Sequence, residues 1–280
     1  MVLGRADEML DSLSNLPVMP PLADELVAMA ISSEGDLERV LAVVEQDPVL
    51  AAIVLRMVNS AAFALSSEIT ELSRAVVLLG GAHVRSLALA AAMSALSAGP
   101  EAATHFEHSF NTACTARVIA VCGSVGWEET AFAAGILHDI GELVVVALGS
   151  HQPDTGMAAA ARLGVEREWL GTDHTELGAA LARRWSIPEV LCEPIAGHHL
   201  AIPHMGLPLA PTGEALTAVV AAAESVLDEL DGTAHGDGRS AVDALLALDL
   251  RDPEGIVARC SDAREAHLTA MGLVGAGGGS

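Results

Sequence analysis

Two adjacent residues, His138 and Asp139, interrupt an apolar run, Gly135-Ile136-Leu137-His138-Asp139-Ile140-Gly141. A buried imidazole and a buried carboxylate must each find a partner, and together they can hold a metal ion through a nitrogen and an oxygen. Further donors flank the pair: His108 before it, then His174 in Asp173-His174-Thr175-Glu176, His198-His199, and Glu224 in Ala221-Ala222-Ala223-Glu224-Ser225. Helical bundles build metal sites from inward-facing side chains of this kind. Neutral imidazoles with carboxylates suit Fe, Mn, Zn or Ni, and the set is large enough for one or two ions. For any one of these histidines taken alone, a core residue bonded to a carbonyl is the competing account. The ordered series favours the ligand set.

The elements that must carry these residues are helical. Ala, Leu, Glu and Arg dominate and favour helix, and strand-like alternation is almost absent. Helices are expected from Leu16 onward, from Leu37, after Asp47-Pro48, over 69–79 with a break at Gly80-Gly81, and over 84–96. Further helices are expected over 105–123, 128–149 with a kink at Gly141, 155–163, 173–185, 188–199, 213–230, 241–248 and 253–271. The Pro-rich stretch 200–212 is expected to be a loop. This gives an all-α chain: an N-terminal helical subdomain (1–97) packed on a helical bundle (101–230). A linker with a C-terminal helical pair (231–271) and a Gly-rich flexible tail (272–280) follow. Leu55, Leu78, Leu79, Ile136, Leu137 and Leu181 are expected in the core. Asn59 is expected to terminate a helix, Gly80 to sit where a Cβ would clash, and Trp185 with Ile187 to staple two helices.

Composition narrows the partners. The net charge is −23, and all 14 basic residues are Arg. Without basic clusters to neutralise phosphates, direct nucleic-acid binding is excluded. An acidic surface favours partners bearing Arg and Lys. The four cysteines form no CxxC pair and read as reduced apolar residues of a cytoplasmic protein. The first residues show no signal pattern. The apolar stretches 75–96 and 131–148 both carry charged or imidazole groups, so they read as core helices and not as membrane spans.

The order His108, His138-Asp139, His174, His198-His199 resembles the HD superfamily of metal-dependent phosphohydrolases, and in particular the HDOD (HD-related output domain) family. Upstream, Leu16-Pro17-Val18-Met19-Pro20, Gln46-Asp47-Pro48-Val49-Leu50, the stretch from Leu55 to Phe63 and Ala75-Val76-Val77-Leu78-Leu79-Gly80 look like HDOD landmarks. So do His174-Thr175-Glu176-Leu177-Gly178 and Trp185-Ser186-Ile187-Pro188 downstream. The resemblance implies a degenerate HD-type bundle and a bacterial signalling or regulatory module that acts through protein partners without turnover. It leaves two alternatives: a metal-dependent phosphohydrolase or phosphodiesterase, and a nucleotide-binding module without catalysis. Glu224 stands where the superfamily has its last Asp. Two departures argue against cyclic-dinucleotide hydrolysis of the HD-GYP type. Glu142 replaces a Lys after the His-Asp motif, and no Gly-Tyr-Pro follows His199; the chain has no Tyr at all. Arg56 and Arg85 lie in apolar runs and need an acceptor, an internal carboxylate or else a phosphate or partner carboxylate. No Arg flanks the His-Asp motif in sequence, although Arg85, Arg117, Arg183 or Arg184 could approach it in the fold, and the groove between the two subdomains is the expected contact region.

Overall fold

The computed structural model describes residues 5–13, 37–46, 51–52, 54–55, 58–59, 69–96, 100–148, 157–233, 236 and 238–271. The fold is all-α, with no strand among these residues. The helices are α1 (Arg5–Ser12), α2 (Leu37–Glu45), α3 (Leu72–Leu79), α4 (Gly81–Leu96), α5 (Pro100–Gly123), α6 (Glu128–Leu137) and α7 (Gly141–Ala147). They continue with α8 (Ala159–Leu170), α9 (His174–Arg184), α10 (Glu189–Gly197), α11 (Gly213–Asp231), α12 (Ala241–Ala247) and α13 (Pro253–Met271). The helix expected from Leu16, and most of the one expected after Asp47-Pro48, lie outside the described residues, as do Arg56 and the tail 272–280.

α5 is the axis of the bundle. It packs most extensively on α6, and also on α11 and α13. Phe106, Phe110, Ala113, Ala116, Ile119 and Ala120 are buried along it. The crossing with α6 is close because Gly135 has no side chain: a Cβ there would lie 2.5 Å from the Ala113 Cα. From Thr130 to Leu137 every residue of α6 is buried, as expected of a helix that is apolar all round. Residues 128–147 are long and apolar enough to cross a membrane, yet 83 % of that window is buried inside the protein. α10 packs on α11 and α9, α9 on α7, and α4 links the N-terminal helices to α6. The C-terminal pair is docked, with α12 on α11 and α13 on α5.

Several local expectations need correction. The stretch 128–149 is not one kinked helix: α6 ends at Leu137 and α7 starts at Gly141. Between them the amides of Ile140, Glu142 and Leu143 donate to the carbonyls of Leu137, Asp139 and Ile140, at 3.2, 3.1 and 3.2 Å. These three-residue bonds tighten the turn and put His138-Asp139 on a bend. α3 starts at Leu72 and not at 69, because Asn59 has already engaged Ile69. The Asn59 Nδ2 donates to Leu55 O and Ile69 O, both at 2.8 Å, and its Oδ1 accepts from Ile69 N at 2.7 Å. Gly80 is required by its φ of +82°, not by crowding, since nothing lies within 4 Å of an added Cβ. Ile136, Leu137 and Leu181 are buried and Leu55 and Leu79 partly so, but Leu78 is 44 % exposed. α3 buries its Ala75–Val76 face, and Leu78, two residues beyond Val76, lies on the opposite side. α8 covers Ala159–Leu170, not 155–163, and stops at Gly171 in the left-handed conformation with φ 73°.

Candidate metal centre

Five separate pieces of chain bring the expected donors together. His108 lies on α5 and His138-Asp139 on the α6–α7 bend. His174 opens α9, His198-His199 close α10, and Glu224 lies midway along α11. Asp173 fixes the start of α9: its Oδ1 accepts from the Thr175 hydroxyl at 2.7 Å and the Glu176 amide at 3.0 Å, a side-chain N-cap. Arg167 pairs with its other oxygen at 2.5 Å. His108 Nε2 is 3.3 Å from His138 Nε2, and His174 Nε2 is 3.1 Å from His199 Nε2. Glu224 Oε1 lies 3.6 Å from His138 and 3.8 Å from His108, and its Oε2 3.8 Å from His199. Asp139 Oδ1 is 3.7 Å from His174 Nε2, and the His138 and His198 rings stack edge to face at 4.8 Å. All seven residues are therefore in one cluster.

The tautomers are set by hydrogen bonds on the far sides of the rings. His138 Nδ1 donates to Gly135 O at 2.7 Å, and His198 Nδ1 donates to the Pro194 and Ile195 carbonyls at 3.2 and 3.1 Å, near the end of α10. His174 Nδ1 donates to Glu166 Oε2 at 2.7 Å, and the same oxygen accepts the His174 amide at 2.9 Å. Each of these rings thus turns an Nε2 lone pair inward. This is the arrangement metal-binding histidines use, with the outer nitrogen held by a carbonyl or carboxylate. Lone pairs facing one another need a proton or a cation between them. Donors sharing an ion at about 2.0–2.1 Å lie roughly 3.0–3.4 Å apart, and the two Nε2–Nε2 separations of 3.1 and 3.3 Å fit that spacing. Asp139 Oδ1, His198 Nε2, His199 Nδ1 and both Glu224 oxygens are buried without a hydrogen-bond partner. Such atoms are rare in folded proteins unless an ion or water satisfies them. The residues present can hold a metal ion.

Electrostatics agree with ligand duty. Burial holds the pKa of His198 well below the ordinary value, with His199 acting in the same direction. Burial likewise lowers His108 and brings His199 down to about 4. These imidazoles are neutral, the state that coordinates metal. On His138 burial also acts downward, but Glu224 and Asp139 outweigh it and the net shift is up. Burial opposes ionisation of Asp139 and Glu224, yet the surrounding histidines keep both below the usual carboxylate range.

Four participants were not among the expected site residues. His105, one turn before His108, lies 4.0 Å from Asp139 Oδ2 and 3.8 Å from Glu142 Oε2. Glu142 is wholly buried, so the residue in the place of a phosphate-matching Lys faces inward. Arg162 pairs through Nη2 with Glu142 and through Nε with Glu166 Oε1 at 3.2 Å. Among the described residues, Arg162 is thus the arginine at the site. Of the four that the sequence left free to approach, Arg117 pairs with Glu129 at 2.9 Å, Arg183 with Glu189 at 2.8 Å, and Arg184 with Asp11 at 2.7 Å. Arg85 is buried on α4, with Nε and Nη1 lacking a hydrogen-bond partner and Glu129 the nearby charge. The i,i+3 spacing of His105 and His108 was the signal available for the first of these residues. Arg162 and Glu166 read in sequence as a surface i,i+4 pair.

Comparison with known proteins places the chain. The HDOD domain family matches residues 16–201, and the chain belongs to that family, which is related to the HD phosphohydrolases. An HDOD domain protein of unknown function from Geobacter sulfurreducens shares the fold, with 23 % identity, a TM-score of 0.74, and coverage of 95 % of this chain and 97 % of that one. A candidate phosphohydrolase from Shewanella amazonensis SB2B is 26 % identical, with a TM-score of 0.67 and coverage of 96 % and 97 %. An uncharacterised protein of Treponema pallidum (strain Nichols) is 26 % identical over 231 residues, which are 79 % of this chain and 44 % of that protein. The chain therefore spans less than half the length of that curated relative.

Proposed function

We propose that this chain is a bacterial cytoplasmic regulatory module of the HDOD type. It holds a transition-metal ion, Fe, Mn, Zn or Ni, on His108, His138, Asp139, His174, His198, His199 and Glu224, and acts through protein contact without turnover. The observation that carries the reading is a nearly complete donor set in a closed site: His138, His174, His198 and Glu224 are each no more than 1 % exposed. A bound ion would fix the relative placement of α5, the α6–α7 bend, α9, α10 and α11, and couple their packing to metal occupancy. Turnover of a phosphoester would need an open coordination position and a cation for the phosphate. The crevice that reaches Asp139, between Met93, Phe106, Ile136 and Leu143, has a volume of about 20 Å³, room for about one water. Arg162, which among the described residues is the guanidinium that reaches the site, is committed to Glu142 and Glu166. With a net charge of −23, the module selects partners that present Arg and Lys.

A metal-dependent phosphohydrolase is the second reading, favoured by the 26 % identity to the Shewanella protein described as a phosphohydrolase and by the clustered donors that would supply the metal. One set of measurements separates the two. Metal content is determined on protein purified without added metal, followed by assays on cyclic dinucleotides, linear dinucleotides and phosphomonoesters with Mn, Fe, Mg or Ni. Bound transition metal with no turnover supports the regulatory module. Turnover above about 1 per second, abolished in a folded His138→Ala, Asp139→Ala variant, establishes the enzyme. Protein that takes up no metal under any of these conditions overturns both.

A further inference from the structure

Gly197 and Leu200, which flank His198 and His199, line a cavity of about 440 Å³. None of the seven metal donors lines it. It lies between the C-terminal half of α10, residues 200–203 and the first turns of α11. The two helices meet closely at Gly197, where a Cβ would lie 3.2 Å from Thr217 Cγ2. The chain turns there, with the Leu200 amide donating to Gly197 O at 2.8 Å. Beyond the turn it is tied to the C-terminal part of the protein. The Ile202 carbonyl accepts from Arg239 Nη1 at 3.0 Å, and the Met205 amide donates to the Ala247 carbonyl at 2.8 Å. The backbone around the space is thus held on both sides. Glu193, Ala196, Leu200 and Glu214 are exposed and form its rim.

The chemistry of the lining selects a ligand. Ala196, Leu200, Ile202, Pro203 and Ala218 make it largely apolar, with few charged groups. Sites for small molecules have this character and volumes of about 300–1,000 Å³. Of the charged groups, Arg183 is already spent: its Nη2 and Nε donate to Glu189 at 2.8 and 3.3 Å. Glu193 and Glu214 pair with no cation among the described residues. Gly213 makes room for the Glu193 carboxylate, which a Cβ at that position would strike. The positive end of α11 therefore holds this carboxylate in place. Two carboxylates without a counter-ion beside apolar walls suit a cation that has an apolar body. An anion would meet both of them. The volume is that of a whole small molecule and exceeds a single anchoring side chain of a protein partner.

We propose that this cavity binds a small organic cation, an ammonium or guanidinium group on a compact apolar body. The body lies among Ala196, Leu200 and Ala218, and the charge faces Glu193 and Glu214. The site is separate from the metal centre, and its test needs no metal.

The test titrates the full chain with probes that share one ring and differ in charge: phenethylamine, phenethyl alcohol and hydrocinnamate. Binding is followed by NMR. The amine should saturate with a Kd of about 1 mM or tighter. It should bind about fivefold or more tighter than the alcohol, the scale of exposed ion pairs, and the acid should not bind. Glu193→Gln with Glu214→Gln should weaken the amine by about the same fivefold and leave the alcohol unchanged. Ala196→Phe, at an exposed helix position, places a ring in the cavity and should abolish binding of both. Equal affinities for amine and alcohol, or amine binding that survives in folded Ala196→Phe, overturn the proposal. So does an amine that fails to saturate by about 10 mM. If a helical peptide of Leu and Lys then binds and Ala196→Phe blocks it, the cavity belongs to a protein partner instead. Should Ala196→Phe not fold, the charge series and the Gln variant still decide.

Discussion

Gly141 and Gly178 face each other backbone to backbone where α7 crosses α9. A Cβ on Gly178 would lie 2.9 Å from the Gly141 nitrogen, and one on Gly141 would collide with the His174 carbonyl. This contact lays the first turn of α9 against the His-Asp bend and so sets His174 Nε2 3.7 Å from Asp139.

The backbone cannot yield at that crossing without moving His174. Gly141→Ala should cost about 1–3 kcal/mol or more, the range for overpacking, and should lower metal uptake as well. Gly164 on α8 supplies the control, since an added Cβ there meets nothing within 4 Å and its φ is ordinary. Gly164→Ala should be neutral or stabilising by about 0.5–1 kcal/mol. Chemical denaturation of both variants measures the contrast, and equal destabilisation would contradict the crossing described here.

Two leucines separate buried from exposed apolar positions. Leu137 is fully buried at the end of α6, so Leu137→Ala should cost about 2–5 kcal/mol. Leu78 is 44 % exposed, so Leu78→Ala should stay within about 0.5 kcal/mol. Thermal melts of the two variants check the assignment, and an unchanged curve for Leu137→Ala would contradict it.

That contrast shows which part of the structure was legible in the sequence. Helix type followed from propensity and spacing, and the donors from their order along the chain. Leu78 ends an apolar run that hides its register, but it lies four residues beyond exposed Arg74 and shares that face, a signal the apolar run outweighed. The break at His138–Ile140 was legible only as a kink at Gly141, because the Gly141–Gly178 contact beside it joins residues far apart in sequence. Arg162 and Glu166 carry the spacing of a solvated helix pair, and only the approach of α8 to His174 and Glu142 makes them internal. Asn59 was legible as a helix terminator, but its second partner, Ile69, was not.

The thiols report on how the C-terminal pair is docked. Burial pushes Cys114 and Cys260 up to about 12 and Cys192 to about 11. Cys122 is the one partly exposed thiol of the four, and burial raises it as well. Thiolate is the reactive form, so native protein at pH 8 should expose at most one thiol to a disulfide reagent, slowly, and all four in denaturant. Cys260 lies on α13 against α5. Fast labelling of Cys260 would mean that α13 is undocked in solution.

Metal removal tests the centre through stability. In the apo protein the paired Nε2 atoms of His108 with His138, and of His174 with His199, keep their 3.3 and 3.1 Å separations only if protons replace the ion. The buried Glu224 oxygens lose their counter-charge at the same time. An ion that binds only the folded state stabilises it by about 2.7 kcal/mol at a hundredfold excess over Kd. For a chain of this size that is a rise in Tm of roughly 5–10 °C over the chelated protein. His198→Ala removes a ligand whose Nε2 has no other partner, so its metal-dependent rise should shrink or vanish. His204 is exposed and bonds the Ala247 carbonyl at 3.0 Å, away from the donor cluster, so His204→Ala should keep the full rise. Melting each protein with chelator and then with added Mn, Fe, Zn or Ni gives the answer. A wild type whose Tm ignores every one of these ions would rule out a folded-state metal centre.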